Sequence, residues 1–170
     1  MYNGPFVSLY RDQVIRPDGR PGTYEHVAVD DSVRVVALDQ SQQVALVEDD
    51  FYLPQRRVLH LPGGGTGGQT PREAALRELE EETGAVATEV RALGVIDPLP
   101  ATTTARTHLL LATGLRLGTV RRDDTEIGMT VHWQTMDWAL AAVEDGRITE
   151  AGSVSALLLA ERALRSTPGL

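Results

Sequence analysis

Three glutamates near the middle of the chain, Glu78, Glu81 and Glu82, have the spacing that places side chains on one face of a helix. Like charges that close repel one another unless a cation neutralises them. Clusters of oxygen ligands are what hard divalent cations such as Mg2+ require. The spacing therefore predicts a metal site of the kind used in phosphate chemistry. A merely solvated acidic helix face is the structural alternative.

Signals at both ends predict the helix that carries these glutamates. Thr70 is a suitable N-cap, Pro71 suits the first helical position, and Glu73 completes a capping box. Gly84 can adopt the left-handed conformation that ends a helix. Between the two ends, four apolar residues are predicted to pack inward: Ala74, Ala75, Leu76 and Leu79.

The segment directly before this helix is rich in glycine. Its glycines are Gly63, Gly64, Gly65, Gly67 and Gly68. Glycine accepts positive φ angles and lets backbone carbonyl groups approach a ligand closely. The loop and the helix are therefore predicted to form one site.

The run from Gly63 to Ala85 resembles the Nudix box, G-x5-E-x7-R-E-U-x-E-E-x-G-U, in which U is an aliphatic residue. The residues that match at the family's spacing are Gly63, Arg77, Glu78, Leu79, Glu81, Glu82 and Gly84, with Ala85 at the last apolar position. Gln69 departs from the pattern, because the family has its first glutamate there. The flanking segments resemble the ADP-ribose pyrophosphatase branch of the family.

This resemblance implies a metal site. Glu78 and Glu82 are the expected first ligands, and Glu81 is expected to be a further one. A backbone carbonyl of the loop, from Pro62 or Gly63, is expected to join them. The implied cofactor is Mg2+, with Mn2+ as an alternative.

Arg77 resembles the Nudix arginine that orients a neighbouring carboxylate, and it belongs to the expected catalytic set with Glu78 and Glu81. Its structural alternative is an exposed ion pair with Glu81, which would contribute little to stability.

An acidic segment after the box, residues 123–126, is the predicted source of a general base. In ADP-ribose pyrophosphatases a loop at this place carries the base. Glu126 is the preferred residue and Asp124 the second choice. If the segment is only solvated surface, Glu78 or Glu81 becomes the expected base.

Two positions depart from the branch. Phe51 stands where the branch usually has arginine, and His60 stands where it often has glutamate. Both positions lie near the substrate in relatives. The identity of the substrate therefore stays open at this point.

Composition limits the class of protein. A chain of 170 residues with 42% hydrophobic residues is expected to form a single domain, residues 1–170, with a sizeable core. The absence of cysteine excludes disulfides and thiolate chemistry. No membrane span or signal peptide is recognisable, so a cytoplasmic location is expected. The net charge of −8 argues against binding to nucleic acid.

Strand patterns surround the central helix, and two further helices follow. This order predicts an α/β (α+β) protein with helices on both faces of a sheet, and the resemblance implies the Nudix fold, an α/β/α sandwich around a mixed β-sheet. The predicted strands cover residues 33–38 and 43–48 as a hairpin, then 57–61, 88–96, 107–112 and 128–134; the later helices cover 136–144 and 153–164.

Residues 1–28 are predicted to contain a strand pair, formed within residues 6–24 around a turn at 16–20. Such a pair is hard to place in a minimal Nudix core. ADP-ribose pyrophosphatases use such strands to dimerise, so a homodimer is expected.

The chain is thus predicted to be a Mg2+-dependent Nudix hydrolase that cleaves a nucleoside diphosphate linked to another group, with ADP-ribose or an ADP-sugar preferred. The same chemistry on a nucleoside triphosphate is one alternative. A Nudix-like module that binds a nucleotide with little catalysis is another, and Gln69 is the feature that supports it. The intact cluster of carboxylates argues against the binding module.

Overall fold

The computed structural model describes residues 2–118 and 128–166, which form nine strands and three helices. The strands are β1 Tyr2–Asn3, β2 Ser8–Ile15, β3 Pro21–Ala28, β4 Ser32–Ala37, β5 Gln43–Phe51, β6 Arg56–His60, β7 Ala85–Ile96, β8 Thr107–Leu117 and β9 Thr130–Thr135. The helices are α1 Pro71–Thr83, α2 Met136–Glu144 and α3 Ala151–Arg165.

The strands form three sheets of three strands each. In the N-terminal sheet, β2 lies between β1 and β3, and both pairings are antiparallel. In the second sheet, β8 pairs with β4 in parallel and with β7 antiparallel, so this sheet is mixed. In the third sheet, β5 lies between β6 and β9, with both pairings antiparallel.

Helices cover the mixed sheet on both faces. Alternation along β4 sends Val33 and Val35 to the core under α1, and sends Val36 to the core under α2 and α3. All three valine side chains are fully buried. The predicted α/β/α arrangement around a mixed sheet is therefore confirmed, with α1 packed on the face that Val33 and Val35 occupy.

The predicted hairpin of residues 33–38 and 43–48 is wrong as a paired unit. A turn does join the strands, with the Gln42 amide donating to the Asp39 carbonyl at 3.1 Å, and a single bridge links Leu38 and Val44. Beyond that bridge, β4 pairs with β8 and β5 pairs with β6 and β9. Both strands are buried, and hydrophobic patterning specifies burial without specifying the partner strand.

The predicted N-terminal strand pair is present as β2 and β3, which stay in register from Ser8 opposite Ala28 to Ile15 opposite Pro21. The short strand β1 extends it to a three-stranded sheet. The sheet is tied to the rest of the chain, since the Tyr24 hydroxyl donates to the Ala101 carbonyl at 2.7 Å. Several apolar side chains of this sheet and its turns are exposed: Tyr2, Phe6, Leu9 and Ile15.

Within the described ranges, no helix has the length and apolar character that crossing a membrane would require.

Candidate active site

The glycine-rich loop between β6 and α1 is bonded to the backbone of β4. The Val35 amide donates to the Pro62 carbonyl, and the Val33 amide donates to the Gly64 carbonyl, each at 2.9 Å. These bonds hold the loop along a buried strand, so that its backbone has a defined path next to α1.

Gly63 is required by this close approach. Its φ is +146°, a conformation that residues with a side chain rarely adopt. A Cβ at this position would also lie well inside van der Waals distance of the Val33 carbonyl. The sequence pattern marks the glycine, but the strand that excludes its side chain is visible only in the structure.

Gly63→Ala is expected to destabilise the protein by about 2–3 kcal/mol, because it combines a strained φ with a backbone clash. Gly65→Ala is the matched control, since a Cβ there meets no atom within 4 Å and the backbone needs no positive φ. Urea unfolding of the two variants measures the difference. Equal midpoints for the two variants would show that the loop accommodates the extra carbon.

The helix α1 has the predicted ends. Its capping box is complete, with the Glu73 amide bonded to the Thr70 hydroxyl at 3.3 Å and the Thr70 amide bonded to Glu73 Oε2 at 3.0 Å. Gly84 ends the helix at φ +71°, and its amide donates to the Glu80 carbonyl at 2.9 Å. The apolar face packs as expected, with Ala74, Ala75 and Leu79 buried and Leu76 packed against them.

Two of the three predicted carboxylates are buried against the loop. Glu78 is 8% exposed and Glu82 is 5% exposed. The Gly63 amide donates to Glu82 Oε2 at 2.9 Å. A Cβ on Gly64 would lie 2.5 Å from Glu78 Oε1, so glycine leaves room for that carboxylate. Helix and loop thus bring two buried carboxylates and backbone groups together, as the sequence predicted.

Arg77 joins the loop to the helix. Its Nε donates to Gln69 Oε1 at 2.8 Å and its Nη2 donates to the Gly65 carbonyl at 2.9 Å. On the helix side, Nη2 lies 2.9 Å from Glu78 Oε1 and Nη1 lies 2.9 Å from Glu81 Oε2. The exposed pair with Glu81 is therefore only one of its contacts.

The electrostatics of Arg77 follow from these contacts. Burial acts to lower the pKa of the Arg77 guanidinium, but the negative charges of Glu78 and Glu81 outweigh burial and raise that pKa above its ordinary value. The residue is thus a permanent cation held among carboxylates.

The donor set fits a divalent cation of the Mg2+ type. No group of three His, Cys, Asp or Glu side chains in the described part of the chain has the arrangement of a complete all-protein metal site. Mg2+ does not need one, because it keeps several waters and commonly uses one or two carboxylates together with substrate phosphates. Glu78 and Glu82 supply two buried carboxylates. Of the two expected carbonyls, that of Pro62 already accepts the Val35 amide, which favours that of Gly63.

The expected general bases, Asp124 and Glu126, lie outside the described residues. The chain on either side of their segment is described. The Gly118 amide donates to the Gly84 carbonyl at 2.7 Å, directly after α1. At the other side, Arg57 Nη2 donates to the Gly128 carbonyl at 3.3 Å.

The two positions that depart from the branch contact each other. The rings of Phe51 and His60 meet edge to face, with centroids 5.4 Å apart. His60 Nδ1 donates to the Leu61 carbonyl at 2.8 Å, and burial lowers the pKa of this imidazole, which keeps it neutral. Its buried Nε2 has no hydrogen-bond partner among the described residues. The two departures therefore form one aromatic contact, in which His60 is the residue directly before the loop.

The start of α3 supports the loop from the other side, a contact that sequence reasoning missed. The Leu61 amide donates to Ser153 Oγ at 2.9 Å. Glu150 caps the helix, accepting the amides of Gly152 and Ser153, and pairs with Arg34 at 3.1 Å. Burial acts to raise the pKa of Glu150, but Arg34 and the donors on α3 lower it below its usual value. The available sequence signal for this contact was Glu150, an acidic residue three positions before Ser153 that can cap the helix.

Buried carboxylates held beside a glycine-rich loop on an α/β/α fold are typical of enzymes that act on phosphate compounds. Comparison with known families identifies the family to which the chain belongs. Residues 29–163 match the NUDIX domain, and residues 1–27 match the nucleoside diphosphate sugar hydrolase N-terminal domain. The chain belongs to the Nudix family and is a Nudix hydrolase.

Individual relatives cover nearly the whole chain. An ADP-ribose pyrophosphatase of Mycobacterium tuberculosis is 31% identical over 161 residues, which are 93% of this chain and 78% of that protein. A methanol dehydrogenase activator of Bacillus methanolicus is 29% identical over 92% of this chain and 86% of that protein. A crystal structure of an ADP compounds hydrolase superposes with a TM-score of 0.85 at 19% identity, covering 100% of this chain and 92% of that one.

Proposed function

We propose that this Nudix hydrolase cleaves the pyrophosphate bond of a nucleoside diphosphate linked to another group, in a metal-dependent reaction, and that ADP-ribose or an ADP-sugar is the substrate. The buried pair Glu78 and Glu82 against the glycine-rich loop carries the proposal. Buried carboxylates are costly unless a cation or strong hydrogen bonds stabilise them. The names of the matched N-terminal domain and of the ADP-ribose pyrophosphatase relative support the substrate class.

Glu78, Glu81 and Glu82, with the Gly63 carbonyl and that of Pro62 as its alternative, would hold Mg2+ or Mn2+. When bound, such a cation neutralises charge on phosphoryl oxygens and lowers the pKa of a water. Positioning and electrostatics supply most of the catalysis in phosphoryl transfer.

Arg77 holds Glu78 and Glu81 in place on the helix, and through the Gly65 carbonyl it also holds the loop. Glu126 takes the proton of the attacking water in this proposal, with Asp124 as the second choice. A general base has to reach that water directly or through one further water.

A substrate panel tests the proposal. Formation of the nucleoside monophosphate product, separated by chromatography, is measured with Mg2+ or Mn2+ for ADP-ribose, ADP-sugars, other nucleoside diphosphate derivatives and nucleoside triphosphates. The proposal expects kcat/KM for ADP-ribose or an ADP-sugar to exceed that for triphosphates by at least about tenfold. Preference for a triphosphate would support the first alternative, and no turnover of any compound would support the binding module.

The contact of Gln69 favours the enzyme over the binding module. Its amide oxygen accepts the hydrogen bond from Arg77 Nε at 2.8 Å, so the departure from the family pattern removes a charge but keeps an acceptor. Arg77 thereby remains positioned between the loop and α1.

We also propose that the whole chain, residues 1–170, acts as one domain in the cytoplasm on a small-molecule substrate, without binding nucleic acid. The net charge of −8 supports the last point.

A two-fold homodimer through the N-terminal sheet is expected as well, because this sheet leaves apolar side chains exposed that a partner could cover. Light scattering at micromolar concentration is expected to return twice the chain mass of 18.4 kDa. Ile15→Asp is expected to dissociate the dimer. Leu117→Asp is the matched control, because Leu117 and Ile15 are both 72% exposed. A monomeric wild type would refute the expectation.

A further inference from the structure

We propose that Gln69 is a positioning residue which acts through Arg77. With glutamine at this position, the carboxylate cluster binds a divalent cation less tightly than it would with glutamate there. The inference rests on the proposed metal-binding role of Glu78 and Glu81. It concerns the one position of the family pattern at which this chain has a neutral side chain in place of a glutamate.

The first step is the geometry of Arg77. Its guanidinium bonds to four acceptors, two on the loop and two on the helix. The loop acceptors, Gln69 Oε1 and the Gly65 carbonyl, are neutral. The helix acceptors are the carboxylates of Glu78 and Glu81. The two charged side chains that Arg77 contacts at 2.9 Å, Glu78 and Glu81, are therefore both proposed metal ligands.

The second step is competition. Arg77 Nη2 lies 2.9 Å from Glu78 Oε1, and Nη1 lies 2.9 Å from Glu81 Oε2. A divalent cation that binds these carboxylates competes with the guanidinium for the same oxygens. The attraction between opposite full charges adds to the hydrogen bonds that Arg77 makes with the two carboxylates, and the bond to the neutral Gln69 lacks it. Arg77 therefore holds Glu78 and Glu81 more strongly than it holds Gln69.

The third step is what a glutamate at position 69 would change. Gln69 faces Nε, on the side of the guanidinium away from the helix contacts of Nη1. A carboxylate there would give Arg77 a charged partner on the loop and so weaken its hold on Glu78 and Glu81. Because Gln69 is neutral, the Arg77 guanidinium stays paired with Glu78 and Glu81. The two carboxylates then bind the cation less tightly, and the substrate's phosphates contribute more to holding it.

The experiment is a titration of the whole protein with Mn2+ in the absence of substrate, at about 0.15 M salt, with free Mn2+ followed by its EPR signal. Gln69→Glu is expected to lower the Kd for Mn2+ at least about fivefold. Gln69→Met, which has a similar length but no charge and only a weak acceptor, is expected not to lower the Kd. Circular dichroism melting establishes that each variant is folded.

A double-mutant cycle with Arg77→Gln separates positioning from a direct charge effect. In the Arg77→Gln background, Gln69→Glu is expected to change the Kd by less than about twofold, because no guanidinium is left to redirect and screening weakens the remaining effect of an exposed charge. An equal shift in both backgrounds would overturn the inference, since the new charge would then act directly.

The titration also separates this inference from the proposed function. An unchanged Kd in Gln69→Glu overturns the inference and leaves the metal site intact. A wild type that binds no Mn2+ overturns the inference together with the metal site, while a wild type that binds Mn2+ but hydrolyses no nucleoside diphosphate derivative overturns only the proposed function.

Discussion

Replacing Glu82 or Glu78 by glutamine is expected to lower kcat by orders of magnitude while the protein stays folded. Both carboxylates are buried beside the loop, where a divalent cation would neutralise the phosphoryl oxygens of the substrate. Glutamine preserves the shape and one acceptor oxygen but removes the charge. The Gly63 amide, which donates to Glu82 Oε2, therefore keeps an acceptor in Glu82→Gln.

Glu82→Gln is expected to leave thermal stability in EDTA equal to or slightly above that of the wild type, because it removes one of three neighbouring negative charges. In Glu78→Gln the loss of the ion pair with Arg77 offsets this gain. Steady-state kinetics with Mg2+ and thermal melting measure the two effects. Glu80→Gln is the matched control, since it makes the same chemical change on the same helix outside the cluster. Turnover close to that of the wild type in either Glu82→Gln or Glu78→Gln would refute the assignment.

Glu126→Gln is the second change expected to have a large effect. It should lower kcat strongly with little change in KM, because a general base contributes mainly in the transition state. On either side of the segment, the Gly118 amide bonds to the residue that ends α1, and the Gly128 carbonyl bonds to Arg57 on β6. Glu126 is preferred over Asp124 because its side chain is longer and because the residue directly precedes the stretch that leads into β9.

Metal affinity distinguishes this role from that of the helix carboxylates. Glu126→Gln is expected to bind Mn2+ nearly as tightly as the wild type, whereas Glu82→Gln is expected to bind it much more weakly. Asp123→Asn and Asp124→Asn complete the series. If all three loop variants keep kcat within a few-fold of the wild type, the segment is solvated surface and Glu78 or Glu81 becomes the base.

The helix α1 shows how far local information reaches. Thr70, Pro71 and Glu73 specify its start, and Gly84 specifies its end, through hydrogen bonds between residues a few positions apart. The shared face of Glu78 and Glu82 follows from the helical repeat alone. These features could be predicted because each depends on near neighbours in the chain.

Strand pairing could not be predicted in the same way. The valines of β4 predict a buried strand but not its partner. That partner is β8, more than seventy residues further along the chain. The predicted hairpin failed because a short turn at Asp39 brings β4 and β5 together only at a single bridge. Burial is encoded locally, whereas the choice of partner depends on how the sheets pack as a whole.

The sequence by itself determined that a glycine-rich loop and a capped helix would carry a cluster of carboxylates. Only the tertiary structure decided how that cluster is held. Gly63 is required because β4 passes directly beside it, and Arg77 is positioned by Gln69 and Gly65 as well as by its helical neighbours. Phe51 and His60 lie at opposite ends of the β5–β6 pairing, yet their rings meet. Each of these contacts joins segments that come together only when the chain folds. Periodicity and spacing in the sequence do not specify such contacts.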